Sequence, residues 1–153
     1  RIAVLAQGSM PKRQLLQQFL QEPAAVLVGS ASFWEGIDVP GEQLQCVLID
    51  KLPFPPPNDP LVEARVKRLE AQGRNAFAEY FVAEAAIALK QGAGRLIRTE
   101  SDRGLLVVCD PRLAGMNYGR RLREALPPMK PVADEAEASA WLDELAAAQR
   151  QSG

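Results

Sequence analysis

Ala24-Ala25-Val26-Leu27-Val28-Gly29-Ser30-Ala31-Ser32-Phe33-Trp34-Glu35-Gly36-Ile37-Asp38-Val39-Pro40-Gly41 is the stretch from which the fold is read. The apolar run Ala24 to Val28 is a buried strand, and Gly29-Ser30 is its exit. Small residues directly after such a strand form a loop at the C-terminal edge of a sheet, where parallel α/β sheets bind ligands. Glu35 and Asp38 then set two carboxylates around Gly36. These acids suit a ribose hydroxyl, a metal-bound water or a partner arginine; the plainer alternative is a helix-start acid pair beside a turn. Phe33 and Trp34 read as packing aromatics.

Outward from this stretch, three more apolar runs alternate with helical patterns. Ile2 to Ala6 is a strand closed by Gln7-Gly8-Ser9, and Ser9 is placed to cap a helix carrying Leu15, Leu16, Phe19 and Leu20. Leu44 to Leu52 is the third strand, and it runs into the stiff Pro53-Phe54-Pro55-Pro56-Pro57-Asn58. Asp59-Pro60 starts a helix over 61–69 that bears Arg65, Lys67 and Arg68, with Arg74 just beyond. This is a local basic patch, open to nucleic acid or simply solvated. Residues 75–98 form a long helical region with Phe77, Phe81 and Leu89 inward. Ser101-Asp102-Arg103-Gly104 is a turn, Leu105 to Cys109 the fourth strand, and Asp110-Pro111 opens a helix to about Leu126. Strands alternating with helices in this way predict an α/β domain, with a mostly parallel sheet covered on both faces.

The long helix ends in Gln91-Gly92-Ala93-Gly94-Arg95-Leu96-Ile97-Arg98. Continued as a helix, it projects Gln91, Arg95 and Arg98 from one side, while Ala86, Leu89, Ala93, Leu96 and Ile97 fall on or near the opposite, core-facing side. Two glycines beside two planar, permanently charged guanidiniums suggest close approach by another backbone or by a phosphate, which the guanidinium fork suits. A solvated basic helix end, complementing the helix dipole, stands beside that reading.

The bulk numbers narrow the classes. A chain of 153 residues with 47% hydrophobic content supports one domain with a real core, and a formal net charge of −1 gives no global attraction to nucleic acid. The absence of histidine removes Ser-His and Cys-His nucleophile arrangements and histidine-ligated metals. Cys46 and Cys109 lie in apolar strand patterns and are expected as buried free thiols of a reducing compartment. The sequence has no membrane-spanning run and no signal-peptide pattern at its start. It opens on Arg1 with a strand already in progress and looks like a piece of a longer chain. Pro127-Pro128 closes the domain at 128. Residues 129–153 are expected as a polar linker over 129–137 and an amphipathic helix over 139–150 with Trp141, Leu142 and Leu145 on one face, either packed back on the domain or offered to a partner.

In order, the 29–38 stretch, Lys51-Leu52-Pro53-Phe54-Pro55 and the 91–98 octet resemble the second RecA-like motor domain of the DinG/YoaA branch of XPD-like superfamily 2 DNA helicases, with motif V at 29–38 and motif VI at 91–98. The resemblance covers about residues 1–128 and implies a P-loop-NTPase-type RecA-like fold lacking its first strand. It implies that Arg95 and Arg98 are arginine fingers for the γ-phosphate of ATP, with Gln91 placing that phosphate or the attacking water. Glu35, Gly36 and Asp38 would line the nucleotide side of the cleft, and Ser30 and Ser32 would meet the DNA backbone. It further implies ATP with Mg as the bound nucleotide and 5′-to-3′ movement on single-stranded DNA in replication-linked repair. A 4Fe–4S cluster would lie in an N-terminal motor half, with which this chain would pair, and the setting would be the bacterial cytoplasm. YoaA-like members resemble proteins that dock through their C-terminal region to the chi subunit of DNA polymerase III, so Trp141, Leu142 and Leu145 are candidate partner contacts. A phosphate-cradling Gly-Lys-Ser/Thr loop, a Walker B acid pair and cluster cysteines are absent from these 153 residues. The fragment alone is therefore expected to bind no cofactor and hydrolyse no ATP. A non-catalytic interaction module is the rival expectation.

Overall fold

The computed structural model describes residues 1–34, 36–39 and 43–152, apart from the side chains of Trp34 and Ser152. Glu35, one of the two acids singled out beside Gly36, lies outside the described residues. Among the described residues four short strands alternate with helices: β1 (Ala3–Ala6), α1 (Lys12–Gln21), β2 (Ala25–Val28), α2 (Ala31–Trp34), β3 (Cys46–Ile49), α3 (Pro60–Ala71), α4 (Val82–Leu96), β4 (Leu105–Val108), α5 (Arg112–Gly115), α6 (Gly119–Ala125) and α7 (Glu135–Ser152). A single π-helical turn, Phe77–Phe81, leads directly into α4.

The expected parallel α/β order is present, with one difference in assembly. β1 pairs parallel with β2, Ala3 opposite Ala25, and β3 pairs parallel with β4, Cys46 opposite Leu105. Among the described residues the two pairs form separate two-stranded sheets rather than one. Each is packed on one face. Leu5 and Leu27 meet α1, whereas Val4 on the opposite face is 70% exposed, and Ile49 is buried while Leu48 is 61% exposed. Strands of period two send alternate side chains to opposite faces, so single-sided cover leaves alternate residues of β1, β2 and β3 exposed, whereas β4 has none exposed. The same alternation corrects the cysteine expectation: Cys46 and Cys109 are free but exposed.

Two cores hold these units. Around β1 and β2, Leu5, Leu15, Phe33, Ile37 and Val39 close together, with Phe19 and Leu16 against them. Around β3 and β4, Ile49 and Leu52 pack with Val82, Ala85 and Leu89 of α4 and Leu122 of α6. The α4 stripe of Val82, Ala85, Leu89, Gly92, Ala93 and Leu96 recurs at helical spacing along one face. Each fully buried leucine here, such as Leu89 or Leu122, contributes roughly 1.5–3 kcal/mol.

Local signals were right at some helix ends and wrong at others. The Asp59 carboxylate accepts from the Leu61 N–H at 2.8 Å, and Pro60 is the first helical residue. Ser9 caps nothing: its hydroxyl donates back to the Ala6 carbonyl at 2.7 Å, and α1 starts after Pro11 without a side-chain cap. The helix expected from Asp110-Pro111 to Leu126 is two pieces, α5 and α6. The break falls before Gly119, where an added Cβ would overlap the Leu113 carbonyl.

One buried acid ties the C-terminal ends of β3 and β4 together. The Asp110 side chain, 4% exposed, accepts from the Leu52 N–H at 2.9 Å and the Arg112 N–H at 3.0 Å, and pairs with the Arg112 guanidinium at 2.6 Å. The Arg112 bonds, outweighing the cost of burial, hold its carboxyl far below the usual carboxylate range. The C-terminal segment is longer in helix and shorter in linker than expected. α7 turns Leu145 into the body, Gln149 accepts from the Gln45 amide, and Arg103 lies 5.6 Å from the Trp141 ring centroid.

Candidate functional site

The octet's residues are brought to the C-terminal end of α4, though not as a continuous helix. α4 stops at Leu96, and Ile97 is extended at φ −118°, ψ 107°. Gln91 and Arg95 therefore share a helical side, while Arg98 leaves the helix altogether and needs other means to be placed. Two aspartates supply them. The Asp102 carboxylate accepts from the Arg98 N–H at 2.8 Å and the Thr99 N–H at 2.9 Å, which folds the chain after α4 into a tight turn. Those backbone bonds hold the Asp102 carboxyl below its ordinary range. Asp38 takes the side chain: its Oδ1 lies 2.5 Å from Arg98 Nη1. Asp102 was legible only as part of a turn; an Asp in a turn after a helix end was the available signal.

Arg95 is half-buried, and among the described residues it makes no ion pair or hydrogen bond. Gln91 is exposed, and it too has no hydrogen-bond partner among the described residues. An added Cβ on Gly94 would meet no described atom within 4 Å, so the helix surface is open at this point. Gly92, the other glycine, is buried in the α4 stripe.

The loop after β2 supplies the facing side. Gly36 adopts φ +86°, a left-handed conformation that glycine takes at little cost, and it turns the chain so that Ile37 and Val39 enter the core while Asp38 points out. Ser30 and Ser32 stand exposed with their hydroxyls 2.9 Å apart. Gln7, at the end of β1, accepts from the Ser30 N–H at 2.8 Å and from its hydroxyl at 3.0 Å. Sequence reading saw Gln7 only as the end of a strand; its long-range role has no local signature. Trp141, Leu142 and Leu145 belong to a different place, the inner face of α7.

The fold and site define a parallel α/β unit that presents arginines at a helix end beside an acidic, glycine-containing loop. A family model described as the helicase C-terminal domain matches residues 1–129, and the chain belongs to that family. It is 48% identical over 141 residues to the ATP-dependent DNA helicase YoaA of Escherichia coli, covering 92% of this chain and 22% of that protein. It is 43% identical over 145 residues to the ATP-dependent helicase DinG of Mycobacterium tuberculosis, covering 95% and 22%. A Bacillus subtilis relative, 38% identical over 128 residues, with 82% of this chain and 14% of that protein covered, is named 3'-5' exonuclease DinG. The chain spans about a fifth of the length of the first two relatives.

Among the described residues no group of three or more histidines, cysteines, aspartates or glutamates is placed to hold a metal ion. No helix among them is long and apolar enough to cross a membrane.

Proposed function

We propose that this chain is the C-terminal motor half of an ATP-dependent DNA helicase, moving 5′-to-3′ on single-stranded DNA in replication-linked repair. It supplies Arg95 and Arg98 to an ATP site that a second, N-terminal motor half completes. The observation that carries the reading is the contrast between the two arginines. Arg95 keeps a guanidinium that no described residue neutralises, on the same helical side as Gln91. Arg98 is fixed beside it by a turn and an ion pair to the motif V loop. Both are on the residues that resemble helicase motif VI.

ATP, as substrate, would meet these groups from outside the chain, on the open side of Gly94. When its γ-phosphoryl transfers to water, negative charge spreads over the equatorial oxygens. A guanidinium placed there stabilises that charge and stays protonated throughout. Gln91, which can both donate and accept, suits orientation of water or phosphate. Ser30 and Ser32 present hydroxyls suited to a DNA phosphate, held in place through Gln7. Asp38 would pass a shift of that loop to Arg98, because the two share an ion pair. The alternative of a ready-made docking helix is less well carried. α7 buries Leu145 and places Trp141 within reach of Arg103, so contact with a polymerase subunit through these residues would first require α7 to lift.

The test is Arg95→Ala and Arg98→Ala in the full-length protein. ATP turnover is expected to fall at least about a hundredfold with the circular dichroism spectrum unchanged. Near-normal turnover in both would overturn the assignment.

A further inference from the structure

The sequence pattern places Phe77 inward, but it is 45% exposed. It sits at the start of the π-helical turn, where the Val82 N–H bonds the Phe77 carbonyl five residues back. Such wide turns recur at functional sites. Phe77 is also the open member of a continuous aromatic surface. Its ring centroid lies 5.7 Å from Phe54, 5.3 Å from Tyr118 and 6.2 Å from Phe81, and Phe81 lies 5.5 Å from Tyr80.

Cations edge this surface. The Arg112 guanidinium is 5.3 Å from the Phe54 centroid, the Arg65 guanidinium 5.5 Å from the Tyr80 centroid, and Arg121 donates to the Ala78 carbonyl at 2.8 Å. Two acids beside it are engaged: Glu79 by Arg74 at 2.7 Å, and Asp110, buried, by Arg112. Neither leaves an unpaired negative charge to repel a polyanion.

We propose that Phe77, backed by Phe54 and Tyr118, is a stacking platform for the bases of single-stranded DNA, with Arg112 and Arg121 meeting its phosphates. Every base has a flat π-face, so a solvent-facing phenyl ring binds without regard to sequence, and guanidiniums beside it follow the backbone. A duplex keeps its base faces covered and is not a ligand for such a surface. The basic patch at 65–74, left without a role by the arginine-finger site, becomes the flank of this platform. The proposal rests on the DNA-motor reading and assigns to it a contact far in sequence from Ser30 and Ser32.

The experiment uses the full-length protein with a fluorescein-labelled oligo(dT) at fixed salt. Phe77→Ala is expected to weaken binding roughly five- to a hundredfold, the range of one lost base–ring stack. Phe77→Leu, which retains apolar bulk for packing but has no ring face, is expected to weaken it similarly. Phe77→Trp is expected to restore it, with the new tryptophan's emission quenched by the oligonucleotide. Binding by the Leu variant within twofold of wild type would overturn the platform, and so would an unquenched tryptophan. That failure is separable from failure of the motor reading. In the first case wild type still binds oligo(dT) and shows DNA-stimulated ATP turnover; in the second it does neither.

Discussion

Arg98 and Asp38, 60 residues apart in sequence, are joined by an ion pair of 2.5 Å that links the end of α4 to the loop after β2. The Asp38 side chain is 86% exposed and that of Arg98 30%. A pair this wet adds little to stability, because water screens the charges and ordering two side chains costs entropy. Its consequence is geometric: it fixes where one guanidinium points.

That gives a first prediction. Asp38→Asn in the full-length protein should lower ATP turnover about tenfold, on the order of what a misdirected catalytic group costs. The melting temperature should barely move. In a cycle with Arg98→Ala, the double variant should be no slower than Arg98→Ala alone, since Asp38 acts through Arg98. Additive losses would sink this account and assign Asp38 a separate role.

Asp102 should behave as a second support. Asp102→Ala removes the acceptor for the Arg98 and Thr99 N–H groups and frees the turn that follows α4. We expect lower kcat and nearly unchanged stability, since both N–H groups are exposed and water replaces the carboxylate. Stopped-flow measurement of phosphate release checks it; wild-type kcat would contradict it.

Asp110 should control acid stability. Its folded-state pKa is depressed, so its contribution is complete above the ordinary carboxylate value of about 3.9 and is lost as pH falls from there toward the folded value. Asp110→Asn should therefore destabilise the domain at pH 7. The gap from wild type should close as pH drops below about 4. Thermal melts of both proteins across pH test this. A gap that widens on acidification would show that the carboxylate is not the group responsible.

Gly119→Ala should destabilise the domain without touching the arginines at the end of α4. The added methyl overlaps the Leu113 carbonyl, so α5 and α6 must part, at a cost of about 1–3 kcal/mol. Urea denaturation should register that loss.

Much of the architecture was readable residue by residue because its signals are local. Short apolar runs, Asp59-Pro60 at a helix start and the α4 stripe all follow from backbone geometry that near neighbours set, although the run from Leu44 to Leu52 forms a strand only over Cys46–Ile49. The arginines, Gln91 and the serines could be singled out as candidates because residue chemistry and order are present in the sequence itself. The octet's periodicity misled at one point: it carried the helix through Arg98, whereas the helix ends at Leu96. Phe77 was misassigned for the same reason, whereas Ser9 lost its expected cap to a local bond with the Ala6 carbonyl. Spacing states which residues can share a face, while neighbours far along the chain decide whether that face is covered.

The sequence by itself determined that strands and helices alternate in parallel order, and that two arginines stand at one helix end. Only the tertiary structure decided how they are held. Asp38 reaches Arg98, Gln7 holds Ser30, and Asp110 joins Leu52 to Arg112 across 60, 23 and 58 residues of chain. Such bonds depend on where separate elements come to rest, and that follows from burying two apolar cores rather than from any pattern within one segment.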